Sequence, residues 1–269
     1  MNAYNYLKDF CKVRNTRNSW KIYRNPYTER VRFILSAINN MGLKSRSILF
    51  NPNTLEDIRF KEKVDKLINI SVEFISNIEL PTLIFIAHHD VNNNHSDNMN
   101  DNSASVSHIL ELCEWMKSQE IKDKNIILYF TDREEFGSLG GRKLAHDINL
   151  GKYGSKVKVI NLELTGVGTE IHAEDVDSSL LDGITKLTES KVHLLNVPFN
   201  DSLRLRSNGV DSVCLGLLSV KAIFERKSGR YPHTWMLCHS NDDKFENADE
   251  NDMNVFNTYL KNIIGGYNF

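Results

Sequence analysis

Five short stretches of this 269-residue chain place imidazoles and carboxylates where they could do joint chemistry. The first is His88-His89-Asp90, and Asp101 follows it closely in a loop rich in asparagine. The others are Glu134-Glu135, Glu163, and His239 with Asp242-Asp243. On an extended chain His88 and Asp90 share a face and His89 points away. A metal-bound imidazole commonly donates its second N–H to a carboxylate, and His-x-Asp supplies such a pair. Asp101 lies just before a helical segment, so it could be a ligand or a cap. Of two adjacent glutamates, one can hold a metal while the other handles a proton. Glu163 is an isolated carboxylate in an apolar segment, and a buried carboxylate needs a partner or an ion. Two histidines and three carboxylates make a ligand set for two divalent ions that share one carboxylate.

These residues need elements to position them. Leu83–Ala87 is wholly apolar, which suits a strand buried on both faces. Val106, Ile109, Leu110, Cys113 and Met116 then recur at helical spacing, with Asp101, Asn102 and Ser103 as candidate caps. Further strands are expected at 46–50, 70–76, 126–130, 157–164 and 213–218. Helices are expected at about 27–41, 139–147, 178–190 and 251–264. Alternating strands and helices predict a doubly wound α/β sheet, whose chemistry sits at the carboxyl ends of the strands. The five stretches follow successive strands or, for His239, an irregular segment. Between the loop's two ends, Val91 to Met99, with His95 and Asp97, reads as a solvated spacer.

Composition narrows the function classes. A hydrophobic content of 41% supports a sizeable core. A net charge of −2 does not favour nucleic acid or an anionic membrane as partner. No segment is long and apolar enough to span a bilayer, and the first twenty residues lack a signal-type apolar run. Cys11, Cys113, Cys214 and Cys238 are scattered, which fits a reduced, cytoplasmic setting.

With their order and spacing, the motifs resemble those of metallopeptidase family twenty-eight. They are His88-His89-Asp90, Asn100 to Ser105, Glu134 to Gly141, Asn161-Leu162-Glu163 and His239 to Asp243. The stretch Asn200 to Val210 is similar to the family's segment before its late core strand. The likeness spans about 70–265. It implies a three-layer α/β/α fold with a central mixed, mostly parallel sheet, of zinc-exopeptidase type. It also implies one catalytic domain over 1–269, with an N-terminal helical segment, residues 1–45, packed on it. Carried over, it implies one ion held by His88, Asp101 and Glu163 and a second held by Asp101, Glu135 and His239. Glu134 would be the general base and Asp90 the group that orients His88. The implied activity is a metal-dependent exopeptidase, chiefly an aminopeptidase, with two divalent ions, zinc first among them. Its substrate would be a peptide or aminoacyl compound.

The sequence departs from the family pattern at three points. Glu163 stands where many relatives have Asp, and Ser105 stands where Gly is usual. Val197-Pro198-Phe199 occupies a region where several relatives carry a tyrosine that stabilises the oxyanion. Tyr231 is a substitute donor, and Asp201, Arg204 and Tyr231 are the substrate-binding candidates. Two rivals remain: a glutaminyl-cyclase-like acyltransferase with a single zinc, and a non-catalytic relative that serves as a binding module.

Overall fold

In β3 (Thr82–His88) successive side chains enter two different cores. Leu83, Phe85 and Ala87 join one apolar cluster, and Ile84 and Ile86 join another. A strand with no polar face must lie mid-sheet between two helical layers. The computed structural model describes residues 1–13, 26–51, 66–93, 95–187 and 192–269.

The sheet has eight strands in the order β1-β2-β4-β3-β5-β8-β6-β7. The other strands are β1 (Arg46–Phe50), β2 (Leu67–Phe74), β4 (Asn125–Thr131) and β5 (Val157–Leu162). After them come β6 (Glu170–Glu174), β7 (His193–Leu195) and β8 (Asp211–Leu218). The middle four, β4, β3, β5 and β8, run parallel, with Ala87 opposite Phe130 and Ile86 opposite Asn161. Antiparallel pairs β1–β2, β2–β4 and β6–β8 make the sheet mixed.

One face is covered by α1 (Ala3–Phe10), α2 (Glu29–Asn40), α3 (Ala104–Met116), α5 (Ser179–Leu187) and α9 (Glu250–Gly266). The other carries α4 (Leu139–Asn149) and α6 (Asp201–Ser207). Two short helices, α7 (Val220–Lys227) and α8 (His233–Met236), lie between β8 and His239. The result is the expected three-layer α/β/α architecture.

Several boundaries differ from the sequence reading. β2 begins at Leu67, three residues early. β5 stops at Leu162, because Leu164 turns into the left-handed region at φ 56°. The helix expected to reach 190 is described to Leu187, and 188–190 lie outside the described residues. None of the three candidate caps closes α3: Ser103 takes the cap position without a side-chain bond, and 99–103 form a wide turn that enters the helix. The spacer is not solvated throughout. Val91, Asn98 and Met99 are buried, and Asp97 accepts the Phe245 N–H at 2.9 Å. The segment read as irregular before Cys238 holds α7 and α8.

Candidate metal centre

The parallel strands deliver the side chains to one place. His88 ends β3, Glu134 and Glu135 follow β4, and Glu163 follows β5. The Glu163 N–H donates to the Leu215 carbonyl at 2.9 Å, continuing the β5–β8 ladder one step. Gly216 lets this happen: a Cβ there would lie 2.3 Å from the Glu163 carbonyl oxygen. Asp101 and His239 come from loops, and His239 takes φ 66°. The peptide between Asp101 and Asn102 is cis.

Two sets of three ligand-type side chains result, each with its donor atoms within 4.8 Å of one another: His88, Asp101 and Glu163, and Asp101, Glu135 and His239. The His88 Nε2 lies 3.1 Å from Asp101 Oδ1 and 3.2 Å from Glu163 Oε1. The His239 Nε2 lies 3.1 Å from Asp101 Oδ2 and 3.0 Å from Glu135 Oε2. The two oxygens of Asp101 thus face different sets. On the far side of the first imidazole, His88 Nδ1 is 3.4 Å from Asp90 Oδ1. His89 turns away, its Nε2 2.9 Å from the Ile68 carbonyl.

The surrounding groups fix this arrangement. Asp243 accepts the Asn100 and Asp101 N–H groups on its two oxygens at 2.8 and 3.1 Å. Asn102 donates to Glu163 Oε2 at 2.6 Å and to the Leu162 carbonyl at 2.9 Å. Asp90 receives the N–H groups of both Glu134 and Glu135, at 3.0 and 3.3 Å. The Glu134-Glu135 turn therefore hangs from the residue that also faces His88. Ser105 is satisfied by Thr165, hydroxyl to hydroxyl at 2.9 Å.

Charge is concentrated here, with His88, Asp101 and Glu163 buried and His239 exposed. Burial opposes the charged form of His88, but Glu163, Asp101 and Asp90 outweigh it and raise its pKa well above the ordinary value. Hydrogen bonds to Asp101 and Glu135 raise His239 to about 10. Burial would raise Asp101, yet the two imidazoles hold it below the usual range. Glu163 is pushed up to about 7 and Glu134 well above its ordinary value, both chiefly by burial.

The donor set fits divalent cations. Imidazole nitrogens and carboxylate oxygens suit zinc and several other ions. Two buried donor atoms, His88 Nε2 and Glu135 Oε1, make no directed hydrogen bond. Other buried side-chain atoms, among them both ring nitrogens of His172, also lack one; a bound ion would satisfy His88 Nε2 and Glu135 Oε1.

A cavity of about 430 Å³ opens over the cluster. Asp101, Glu134, Glu135, Glu163 and His239 contribute to its lining, as do Arg204 and Tyr231. Asp201 is placed otherwise than expected. It is fully buried beneath α4 and is not among the residues that line the cavity. Its Oδ2 accepts the Thr131 hydroxyl at 2.6 Å, and a Cβ on Gly141 would come within 2.5 Å of its Oδ1. As the first residue of α6 it points inward and packs beneath the site. Asn102, Arg30 and the clamping role of Asp243 were not legible in the sequence, since ordinary polar residues carry no spacing that marks such contacts.

Residues 69–264 match the model of Peptidase family M28. The chain belongs to peptidase family M28. No curated protein matches the sequence. Among solved structures, this M28 chain is similar to the LapA aminopeptidase of Legionella pneumophila. Identity is 14% and the TM-score 0.75, over 100% of this chain and 72% of that one. BSAP, a zinc aminopeptidase from Bacillus subtilis, is 17% identical with TM-score 0.62, over 76% of this chain and 50% of that one. A glutaminyl cyclase of Porphyromonas gingivalis is 15% identical with TM-score 0.73, over 98% and 96%. At these identities the likeness is one of fold.

Proposed function

We propose that this M28 chain is a metal-dependent exopeptidase of aminopeptidase type that uses two divalent ions, zinc first among candidates. The observation that carries the reading is the pair of ligand sets sharing Asp101, with Glu134 in the lining of the same cavity. His88, Asp101 and Glu163 would hold one ion, and Asp101, Glu135 and His239 the other. Ions bound there supply Lewis acidity, which acidifies water and polarises a carbonyl.

The chain's own groups do the rest. Glu134 takes the proton of the attacking water and hands it to the leaving amine. Asp90 holds the Glu134 backbone and faces His88, so the base and the first ligand set keep a fixed relation. Tyr231, in the cavity wall, is the candidate donor to the carbonyl oxygen. A free substrate amino terminus would rest against the carboxylates of the ligand sets, which favours exopeptidase over endopeptidase action.

The test is metal analysis together with Glu134→Gln. The variant is expected to keep its ions and its fold and to lose on the order of 10²–10⁴-fold in turnover of aminoacyl substrates. Wild-type turnover in that variant would remove Glu134 from the role of base. The single-zinc acyltransferase alternative needs only one ligand set. One ion per chain, with cyclisation of amino-terminal glutamine, would replace the exopeptidase reading with that one.

A further inference from the structure

We infer that the cavity selects substrates bearing a carboxylate beyond the reacting centre, and that Arg204 is the residue that reads it. This rests on the exopeptidase reading and adds a substrate class to it.

Two arginines on α6, two positions apart, meet different fates. Arg206 is consumed by the structure: both its amino groups reach Glu174, and one also bonds the Ser202 hydroxyl at 2.7 Å and the Ser212 carbonyl at 3.1 Å. Arg204 belongs to the cavity lining and is half-buried. Its carbonyl accepts bonds from Ser207 and Asn208, but among the described residues its guanidinium makes no hydrogen bond or ion pair. A half-buried guanidinium has lost some of its water without gaining an anion. It presents a planar fork that matches carboxylate oxygens two at a time.

The charges around it favour an anion. Asp101, Glu134, Glu135 and Glu163 bring at most four negative charges to the lining, and two divalent ions would offset them. Arg204 is then the uncompensated charge of the lining. The same lining holds Val197, Phe199, Leu203, Tyr231 and Trp235, apolar or aromatic residues that supply no counter-ion. Behind that wall Arg226 stacks on Tyr231 and Trp235, 5.7 and 5.5 Å from their ring centres, which adds to the positive potential.

The carboxylate could be the carboxyl terminus of a short peptide or an acidic side chain. The experiment separates the two. kcat/KM is measured for Leu-Ala against Leu-Ala-amide, and for Leu-Glu-amide and Glu-Ala-amide against their glutamine counterparts. Wild type is expected to prefer the carboxylate on the order of tenfold or more in at least one arm. That ratio should collapse to within about twofold in Arg204→Met and survive to a lesser degree in Arg204→Lys, which keeps the charge but not the fork. Calorimetric binding of the same peptides to Glu134→Gln should show the same split in affinity. Equal ratios in wild type and Arg204→Met overturn the assignment to Arg204 and leave the exopeptidase reading standing. Peptides that wild type neither hydrolyses nor binds overturn both.

Discussion

Replacing Arg30 with methionine tests whether α2, which precedes the family-matched residues 69–264, belongs to the site's framework. The Arg30 side chain is 2% exposed. Its Nε donates to the His89 carbonyl at 2.7 Å, and both Nη atoms lie 3.1 Å from the Ser103 hydroxyl. Its guanidinium lies 3.9 Å above the centre of the Phe10 ring. Burial lowers its pKa to about 10, so it stays charged near neutrality. Thus one cation ties α1 and α2 to the residue after His88 and to the entrance of α3, two residues past Asp101. Methionine keeps an apolar stem but removes the guanidinium, and with it the contact over Phe10 and the donor to the His89 carbonyl. A lost bond to a charged donor, with an acceptor left buried, costs about 1.5–3 kcal/mol, and the second attachment at Ser103 adds to it. Relief from burying the cation offsets some of the loss, so the net expectation is about 2–4 kcal/mol. In urea this lowers the midpoint by roughly 1 M if the slope is near 3 kcal/mol/M. A double-mutant cycle with Ser103→Ala should return a coupling of about 0.5–3 kcal/mol. A stability change below about 0.5 kcal/mol, or no coupling to Ser103, would refute the bridging role.

Two further outcomes follow from the same geometry. Asp243→Ala strands the Asn100 and Asp101 N–H groups in a buried site, at about 1–3 kcal/mol each. Urea unfolding should show that loss, and chelator competition should show weaker ion binding, whereas an unchanged chelator midpoint would contradict the clamp. The metal-free protein should lose stability as pH rises from about 6 to 9. His88 and His239 have folded-state values raised above the ordinary one, the latter to about 10, so their contribution is complete below about 6.5 and fades toward 10. Glu163, raised to about 7, acts in the same direction between about 4.5 and 7. Calorimetry of the chelated protein at three pH values checks this, and a melting temperature that climbs with pH would disprove it.

The parallel centre of the sheet was legible because three of its four strands, all but β5, contain an apolar run that must be buried on both sides. Ile126 to Phe130 and Val213 to Leu218 read as strands for that reason, and the observed β4 and β8 extend them by only a residue or two. The sheet's far edge was not legible. β6 has five residues and β7 three, too few for any period to emerge. The resemblance implied a helical segment over 1–45, yet periodicity did not separate out the first helix, although Ala3, Tyr6, Leu7 and Phe10 are spaced for one buried face. Its dense polar residues hide a stripe whose burial depends on α3 and α9.

The site shows a different division. Ligand-type residues can be listed from the sequence because few residue types bind metals and strand ends fix where they emerge. What holds them still cannot be listed that way. Asn102 and Asp243 look like loop residues, and Arg30 looks like one more helical charge. Each matters through a contact across 59 to 143 positions of sequence. The loop from Ile86 to Ser105 shows the difference most sharply. Its three histidines draw the eye, yet only His88 reaches the cluster, and Asp101 does so because Asp243 pins its backbone from below. Such a residue reads as a helix cap until the fold shows what occupies its two oxygens, and here each faces a different imidazole. A cap turns its carboxylate toward backbone N–H groups, whereas Asp101 leaves both oxygens for side chains. The α3 entrance is left without a side-chain cap, a local cost that the tertiary bonds of Asn102, Ser103 and Asp243 offset.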